Sequence, residues 1–214
     1  MKLSLSVLSA LLVAFVSSAP VELAERKTYG TTANEYTQGA CKDVILFFAR
    51  GTNQGGNLGE MPGQQLATAL SNALGTRLAV QGISYSASLT GNLASGGCPA
   101  SEAASMTTLL TQAASKCPNA KLVVAGYSQG AAMVHRSIEK ASSSVVAKIA
   151  AAVTFGDTQK KQDGGAIPNI SASKTKIFCN NGDRVCEGTL IITDAHTDYT
   201  SSVSPAVSFI QSKV

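Results

Sequence analysis

The sequence predicts a fold of the α/β class, in which helices cover both faces of a parallel sheet. Five short apolar runs rich in β-branched or aromatic residues recur along the chain, and each is typical of a buried strand. They cover residues 44–49, 78–85, 122–125, 150–155 and 175–179. Segments with helical patterns separate these runs, and strands that alternate with helices form parallel sheets.

The elements follow one another along the chain in this alternating order. The first strand, residues 44–49, is apolar throughout, as a strand buried on both faces must be. Helical patterns occur at residues 64–74, 101–115, 129–140, 145–148 and about 203–213. In sheets of this kind ligands bind beyond the carboxyl ends of the strands, so we expect the functional residues there.

The N-terminus has the features of a secretory signal peptide. Lys2 precedes an apolar run over residues 3–16, and small residues follow up to Ala19. This order of a charged, an apolar and a small-residue region is typical of secretion signals, and the run is too short to span a membrane. We therefore expect residues 1–19 to be a signal peptide and the protein to be secreted to the extracellular space.

The segment after the signal is polar and lacks apolar periodicity. Residues 20–38 are accordingly predicted to be a pro-segment or a flexible N-terminal arm outside the core. Residues 39–214 remain, and about 175 residues suit a single domain with a sizeable core. We expect this single domain to carry the function.

Composition excludes several classes of binding protein. The formal net charge is +4, and loss of residues 1–19 removes only the charge of Lys2, which leaves +3. This balance is too mild to predict a nucleic-acid partner. Tryptophan is absent and aromatic residues make up 5% of the chain, which argues against surfaces that stack sugars or bases.

The cysteines indicate disulfides and not a metal site. An exported chain with five cysteines is expected to form two disulfides and to leave one thiol, although spacing does not determine the pairing. The cysteines are Cys41, Cys98, Cys117, Cys179 and Cys186. A zinc site would need histidine partners, and the chain has only two histidines. We expect neither a metal nor another cofactor.

The third strand runs directly into the third helix through a G-x-S-x-G motif. The motif is Gly126-Tyr127-Ser128-Gln129-Gly130. Between a strand and a helix this motif forms a nucleophile elbow, a turn so tight that its outer positions require glycine. The placement of the motif predicts that Ser128 is the nucleophile of a hydrolase.

A serine hydroxyl needs a base within hydrogen-bond reach. His135 lies two turns into the helix that follows Ser128, roughly 10 Å along its axis, and cannot reach the hydroxyl. We interpret His135 as a helix-surface or packing residue. His196 lies in a polar loop between the last strand and the last helix, where the third member of a Ser-Asp-His triad is expected, so His196 is the predicted base.

The acid of such a triad lies between Ser128 and His196 in the chain. Asp183 follows the fifth strand, where a turn can bring its carboxylate to the far nitrogen of the histidine. Asp157 follows the fourth strand and is the second choice. Two further aspartates lie in this interval, Asp163 and Asp194. We expect Asp194 to be a solvated loop residue.

The oxyanion that forms on attack by the serine needs aligned donors. The residue after the elbow serine supplies one backbone N–H, here that of Gln129. The second donor is expected in the glycine-rich loop after the first strand, where Thr52 offers both its N–H and its hydroxyl. This loop lacks the Gly-Lys-Ser/Thr ending of a phosphate-binding P-loop.

These segments together resemble the fungal cutinases, small serine esterases of the cutinase and acetylxylan esterase family. The matching segments are residues 47–52, 56–59, 126–132, 179–186 and 195–196. The resemblance implies an α/β-hydrolase-type three-layer sandwich with a five-stranded sheet and no lid. It implies Ser128, Asp183 and His196 as the triad, with Thr52 and Gln129 as the oxyanion hole. It also implies disulfides that join Cys41 to Cys117 and Cys179 to Cys186.

The resemblance further places substrate-binding residues at the rim of the site. These are Leu89, Tyr127, Ile192 and Thr197. The apolar members suit an acyl chain, whereas Thr197 and the neighbouring aspartates make one side polar and favour short chains. Two interpretations of Asn92 stay open: it hydrogen-bonds Thr52 and holds the hydroxyl in position, or it is an ordinary turn asparagine. Cys98, beside Pro99, has no assigned partner and could compete with Cys117 for Cys41.

The function that the resemblance implies is a cutinase. Such an enzyme hydrolyses cutin or other aliphatic polyesters and small esters through an acyl-enzyme on Ser128. It would be a monomer that touches lipid or polymer surfaces only peripherally. The alternatives are an acetylxylan esterase of the same family and, in a different class, a non-catalytic secreted protein that binds lipid or cell wall.

Overall fold

The computed structural model describes residues 27–214. The predicted signal peptide, residues 1–19, and the first part of the predicted arm lie outside the described residues. Within residues 27–214, none of the helices combines the length and apolar character that crossing a membrane would require.

Five parallel strands form one central sheet in the order β2-β1-β3-β4-β5. The strands are β1 (Val44–Ala49), β2 (Leu78–Gly82), β3 (Lys121–Tyr127), β4 (Ile149–Phe155) and β5 (Thr175–Phe178). The predicted α/β class, the number of strands and their parallel arrangement are confirmed. The second strand is shorter than predicted, because the chain leaves the sheet after Gly82.

Helices cover both faces of the sheet. They are α1 (Glu35–Gln38), α2 (Gly63–Leu74), α3 (Ala100–Lys116), α4 (Gln129–Lys140), α5 (Ser143–Lys148), α6 (Asp194–Thr197) and α7 (Thr200–Gln211). The five predicted helices correspond to α2, α3, α4, α5 and α7. The ends of α4 are those predicted, and the ends of the other four differ by a few residues. The two four-residue helices, α1 and α6, are too short to produce a periodic pattern.

The sheet separates two hydrophobic cores. Alternate residues of β1 point to opposite faces, so that Val44 lies in the core beneath α2 and α7 whereas Ile45 lies in the core beneath α3 and α4. All six residues of β1 are therefore buried. This two-sided burial explains why the strand is apolar throughout.

The described part of the predicted N-terminal arm is packed against the domain, so the prediction that it lies outside the core is wrong for this part. Tyr29, Ala33 and Tyr36 are buried. The backbone N–H of Val80 donates to Glu35 Oε2 over 2.8 Å, and that of Gly82 donates to the Ala33 carbonyl over 2.8 Å. β2 is an edge strand, and these contacts satisfy backbone groups that an open edge would expose.

The carboxyl ends of the strands meet at one edge of the sheet. The loop that contains Thr52 follows β1, and Ser128 follows β3 directly. Asp183 lies in the loop after β5, and His196 lies in α6 further along the same connection. The topology therefore gathers the predicted site residues on one side of the molecule.

Candidate active site

Ser128 lies at a strained turn between β3 and α4. Its backbone has φ 56° and ψ −118°, a left-handed conformation that costs a non-glycine residue about 1–3 kcal/mol. A Cβ atom at Gly126 would lie 2.2 Å from the Gly130 carbonyl oxygen, and one at Gly130 would lie 2.0 Å from the Ala49 carbonyl oxygen. The turn therefore requires glycine at both positions, as the elbow motif predicts.

Three side chains are connected at this turn. His196 Nε2 lies 3.0 Å from Ser128 Oγ, and His196 Nδ1 lies 2.9 Å from Asp183 Oδ2. The three residues are almost wholly buried, with exposed fractions of 8% for Ser128, 3% for His196 and 2% for Asp183. In this arrangement the imidazole can accept the serine proton while the carboxylate holds the other ring nitrogen.

The carboxylate of Asp183 is held by two donors besides the histidine. The Val185 N–H donates to Oδ1 over 2.9 Å, and the Tyr199 hydroxyl donates to Oδ2 over 2.6 Å. Sequence reasoning missed Tyr199, which lies just before α7 and 16 residues from Asp183. In the sequence, Tyr199 is distinguished only by its position three residues after the predicted base. Its hydrogen bond to Asp183 becomes evident only from the tertiary structure.

Tyr127, predicted to contact the substrate at the rim, instead lies buried against His196. Its hydroxyl donates to the His196 carbonyl over 2.7 Å, and its ring stacks on the imidazole with 5.3 Å between centroids. The side chain is 7% exposed. Tyr127 therefore supports His196 from within the fold instead of lining an open rim.

Thr52 is oriented by two neighbouring segments. Asn92 Nδ2 donates to Thr52 Oγ1 over 3.0 Å, as one of the two interpretations predicts, so the Thr52 hydroxyl proton is free to point elsewhere. Arg50 holds the start of the same loop, because its Nε donates to the Gln54 carbonyl over 2.7 Å and its Nη2 to the Tyr85 carbonyl over 2.8 Å. The loop is thus fixed beside the elbow.

Gln129 begins α4, and its backbone N–H is one of those at the helix start that lack an intrahelical partner. Its side chain is fully buried and Nε2 donates to the Ser88 carbonyl over 2.9 Å. This bond ties the elbow to the segment of residues 88–93, which also carries Asn92. The two residues predicted to supply the oxyanion donors, Gln129 and Thr52, thus both hydrogen-bond to this segment.

Exposed apolar side chains occur in two segments next to the triad. Residues 88–93 are joined to Gln129 and Thr52, and residues 190–192 precede His196. Leu89 is 71% exposed and Ile192 is 59% exposed. Leu93, Leu190 and Ile191 are exposed as well. Thr197, Asp194 and Asp198 are exposed on the polar side, as the sequence predicts.

The second histidine belongs to a buried charged cluster. His135 is fully buried, which excludes the helix-surface interpretation and leaves packing. Its Nε2 lies 2.9 Å from Asp157 Oδ2 and its Nδ1 lies 2.7 Å from Asp163 Oδ2. Arg136 also contacts Asp163. Asp157, the second choice for the triad acid, is thus paired with the histidine that sequence reasoning excluded as the base.

The surroundings of His135 and Asp157 shift the pKa of each group in the direction that favours its charged form. Burial acts to lower the pKa of His135, but hydrogen bonds and charges from Asp157 and Asp163 outweigh it and raise the pKa above the ordinary 6.5. Burial acts to raise the pKa of Asp157, and the donors around it, including His135 and the Thr154 hydroxyl, hold the pKa below the ordinary 3.8. We interpret the pair as an imidazolium and a carboxylate.

Replacement of His135 by leucine is expected to lower the free energy of unfolding by about 3–5 kcal/mol near pH 6, because Asp157 would stay buried without its cation. The pKa of His135 is raised in the folded protein. The stabilisation by its charge is therefore fully present below the ordinary pKa and is lost as the pH rises through the pKa of the folded protein. The difference between wild type and variant should therefore narrow from pH 6 to pH 9. Urea unfolding followed by circular dichroism measures it.

The matched control for His135 is Glu139→Gln on the same helix, which removes the exposed ion pair with Arg136. Its effect should stay within about 0.5 kcal/mol. A difference between wild type and His135→Leu that is the same at pH 6 and pH 9 would contradict an imidazolium at this position.

The disulfide pairing that the resemblance implies is confirmed. Cys41 is bonded to Cys117 and Cys179 to Cys186. The second disulfide closes the loop that contains Asp183. Cys98 is free and fully buried and does not compete for Cys41. Burial raises the pKa of its thiol to about 11, so the reactive thiolate is suppressed.

Among residues 27–214, no group of three or more His, Cys, Asp or Glu side chains could hold a metal ion.

Comparison with known proteins gives a consistent result. A family model described as Cutinase matches residues 40–214. The chain is 60% identical to "Cutinase CUT2" of Pyricularia oryzae over 100% of both chains, and 40% identical to "Cutinase 2" of Fusarium vanettenii over 98% of this chain and 94% of the relative.

Solved structures show the same similarity. Trichoderma reesei cutinase in complex with a phosphonate inhibitor superposes with a TM-score of 0.77 at 35% identity, and the match covers 86% of this chain and 80% of that one. An acetylxylan esterase superposes with a TM-score of 0.63 at 23% identity over 81% of this chain and 99% of that one, which shows a shared fold.

Proposed function

The chain belongs to the cutinase family and is a carboxylic-ester hydrolase, and from this premise we propose that it cleaves esters through an acyl-enzyme on Ser128. The observation that carries the proposal is the continuous connection from Ser128 Oγ to His196 at 3.0 Å and from His196 to Asp183 at 2.9 Å. A nucleophile, a base and an orienting acid are the parts that acyl transfer by a serine requires.

The first half of the reaction forms the acyl-enzyme. Ser128 Oγ attacks the ester carbonyl carbon while its proton passes to His196 Nε2, and Asp183 stabilises the imidazolium that results. The carbonyl oxygen becomes an oxyanion that accepts hydrogen bonds from the Gln129 N–H and the Thr52 hydroxyl. The tetrahedral intermediate then collapses, the C–O bond to the alcohol breaks, and His196 returns the proton to the departing oxygen.

The second half releases the acid. A water molecule gives a proton to His196 and attacks the acyl carbon, and the same donors stabilise the second oxyanion. His196 then protonates Ser128 Oγ as the acyl bond breaks. The enzyme returns to its starting state with no cofactor in the proposed cycle.

The surface around the triad supports an aliphatic polyester as the substrate. Leu89 and Ile192 expose apolar side chains on two segments beside the triad, as a chain lying in an open cleft would require. A cavity of about 250 Å³ that borders both segments is lined by polar and apolar residues alike, including Asn92, Gln159 and Leu190. The limited apolar area of these segments favours short to medium acyl chains.

The biological setting follows from the same features. We propose that the protein is secreted, since the N-terminal residues have the order of a signal peptide and two disulfides need an oxidising compartment. We propose that it acts as a monomer and touches a lipid or polymer surface only through the exposed apolar side chains beside the site.

The experiment is hydrolysis of p-nitrophenyl esters from acetate to palmitate, with acetylated xylan in parallel, corrected for the rate of the Ser128→Ala variant. We expect kcat/KM to peak between butyrate and octanoate and to exceed that for acetate roughly tenfold, because apolar contacts bind each added methylene. Activity confined to acetate and acetylxylan would indicate an acetylxylan esterase. Absence of serine-dependent activity would indicate a non-catalytic protein.

A further inference from the structure

Tyr199 contributes a phenol to the buried side of the triad. The residue is fully buried and lies directly before α7. Its hydroxyl donates to Asp183 Oδ2 over 2.6 Å and accepts the backbone N–H of Asn180 over 3.0 Å. The incoming N–H leaves the phenol proton directed at the carboxylate, so the direction of the hydrogen bond to Asp183 is determined.

The phenol and the imidazole share one carboxylate oxygen. Asp183 Oδ2 accepts from Tyr199 and from His196 Nδ1, while Oδ1 accepts only the Val185 N–H. A donor on the shared oxygen withdraws negative charge from the contact with the imidazole. Tyr199 is thus positioned to determine how strongly Asp183 attracts a proton on His196.

The surrounding packing keeps the phenol in place. Phe155 meets the Tyr199 ring edge to face with 6.0 Å between centroids, and Tyr127 lies 6.0 Å away on another side. Asn180 Nδ2 donates to the Ala195 and Asp198 carbonyls over 2.8 Å each, so the residue that donates to the phenol also holds the loop of His196. One contact chain therefore links the end of β5, the acid and the base.

The phenol stays protonated wherever the esterase is assayed. Burial and the hydrogen bond to Asp183 raise the pKa of Tyr199 well above its ordinary value of 10. Tyr127, the other phenol at the site, has its pKa raised to about 12 by burial. The charged side chains on the segments that carry Asp183 and His196 are exposed: Arg184, Glu187, Asp194 and Asp198.

We propose that Tyr199 is a positioning residue that tunes the Asp183–His196 pair, through a hydrogen bond to the oxygen that the imidazole also uses. The proposal rests on the proposed function, because it assigns Asp183 and His196 to the triad. It predicts that the phenol affects turnover and its pH dependence but leaves ester binding unchanged, since Tyr199 is fully buried and donates to Asp183, not to Ser128.

The test is Tyr199→Phe, which removes the hydroxyl and keeps the ring. We expect kcat to fall roughly tenfold with KM unchanged, because Asp183 Oδ2 loses the donor that fixes its position against His196 Nδ1. The acid limb of the kcat/KM profile should move up by about half a pH unit, because a carboxylate with one donor fewer holds the imidazolium more strongly. The NMR resonance of the His196 Nδ1 proton should move downfield.

The matched control is Tyr29→Phe, which removes another buried phenol that donates to a carboxylate, that of Glu35, at 3.0 and 2.9 Å and away from the triad. It should leave both kcat and the acid limb unchanged. If Tyr199→Phe does not fold, 3-fluorotyrosine at position 199 serves instead. Its more acidic hydroxyl is a stronger donor, so the acid limb should move to lower pH.

An unchanged acid limb in Tyr199→Phe, or an acid limb that fluorotyrosine leaves in place, would overturn the proposal. So would a loss of kcat that the fraction of unfolded protein explains. These outcomes differ from the one that would contradict the proposed function. In that case the Ser128→Ala variant would retain activity, independent of the results for Tyr199.

Discussion

Replacement of Ser128 by alanine is expected to lower kcat for p-nitrophenyl butyrate by about 10⁶-fold, as loss of the nucleophile does in other triad hydrolases. Within residues 27–214, Ser128 is the only residue whose hydroxyl hydrogen-bonds to His196 Nε2, so no other hydroxyl there replaces Ser128 Oγ. Alanine keeps the Cβ atom, and the backbone of the elbow is unchanged by the substitution. The thermal midpoint should therefore stay within a few degrees of wild type.

Ser137→Ala is the control for Ser128→Ala. Ser137 is fully buried on α4, the helix that Ser128 precedes, and its hydroxyl only donates to the Val134 carbonyl over 3.1 Å. Its loss tests whether removal of a buried hydroxyl elsewhere on α4 lowers kcat, and we expect no such effect. Substantial burst or steady-state hydrolysis by Ser128→Ala would exclude an acyl-enzyme on this residue.

Replacement of Asp183 by asparagine is expected to lower kcat by about 10⁴-fold at neutral pH. An amide in this position can donate to His196 Nδ1 and so favours the wrong tautomer, in which Nε2 carries the proton and cannot accept that of Ser128. Part of the activity should return at high pH. Steady-state kinetics from pH 6 to pH 10 measures both effects.

Asp157→Asn is the comparison that separates the two candidate acids. Asp157 bonds to His135, to the Thr154 hydroxyl over 2.6 Å and to the Gln159 N–H over 2.8 Å, and none of these contacts reaches His196. We expect Asp157→Asn to lower the free energy of unfolding and to leave the kcat of the folded enzyme within a few fold. A 10⁴-fold loss in Asp157→Asn, with Asp183→Asn active, would reverse the assignment.

Local patterns predicted most of the fold because burial in a parallel sheet constrains each strand on both faces. The run at residues 44–49 has no polar position, and the structure shows β1 over the same residues. α4 likewise begins and ends as predicted, because the elbow defines its start. The short helices and the N-terminal segment escaped prediction, since their order comes from contacts with β2 and the triad instead of from periodicity.

The proposed nucleophile and base could be named from the sequence because each has a local signature or few competitors. Ser128 lies in a motif whose two glycines are required because backbone atoms lie too close for a Cβ atom. The chain has only two histidines. The choice between Asp157 and Asp183 could not be settled by position alone, because both follow strands of the same sheet. The structure separates them by the histidine that each one contacts.

The sequence by itself determined the α/β class, the elbow at Ser128 and the identity of the only histidine able to serve it, because strand burial, tight turns and helix rise act over a few neighbouring residues. Tertiary structure alone decided that His135 and Asp157 form a buried hydrogen-bonded pair, that Tyr127 supports His196, and that Tyr199 donates to the Asp183 oxygen that His196 also contacts. Hydrogen bonds of this kind join residues far apart in the chain. Their geometry depends on how the whole sheet and its loops pack, which no local pattern encodes.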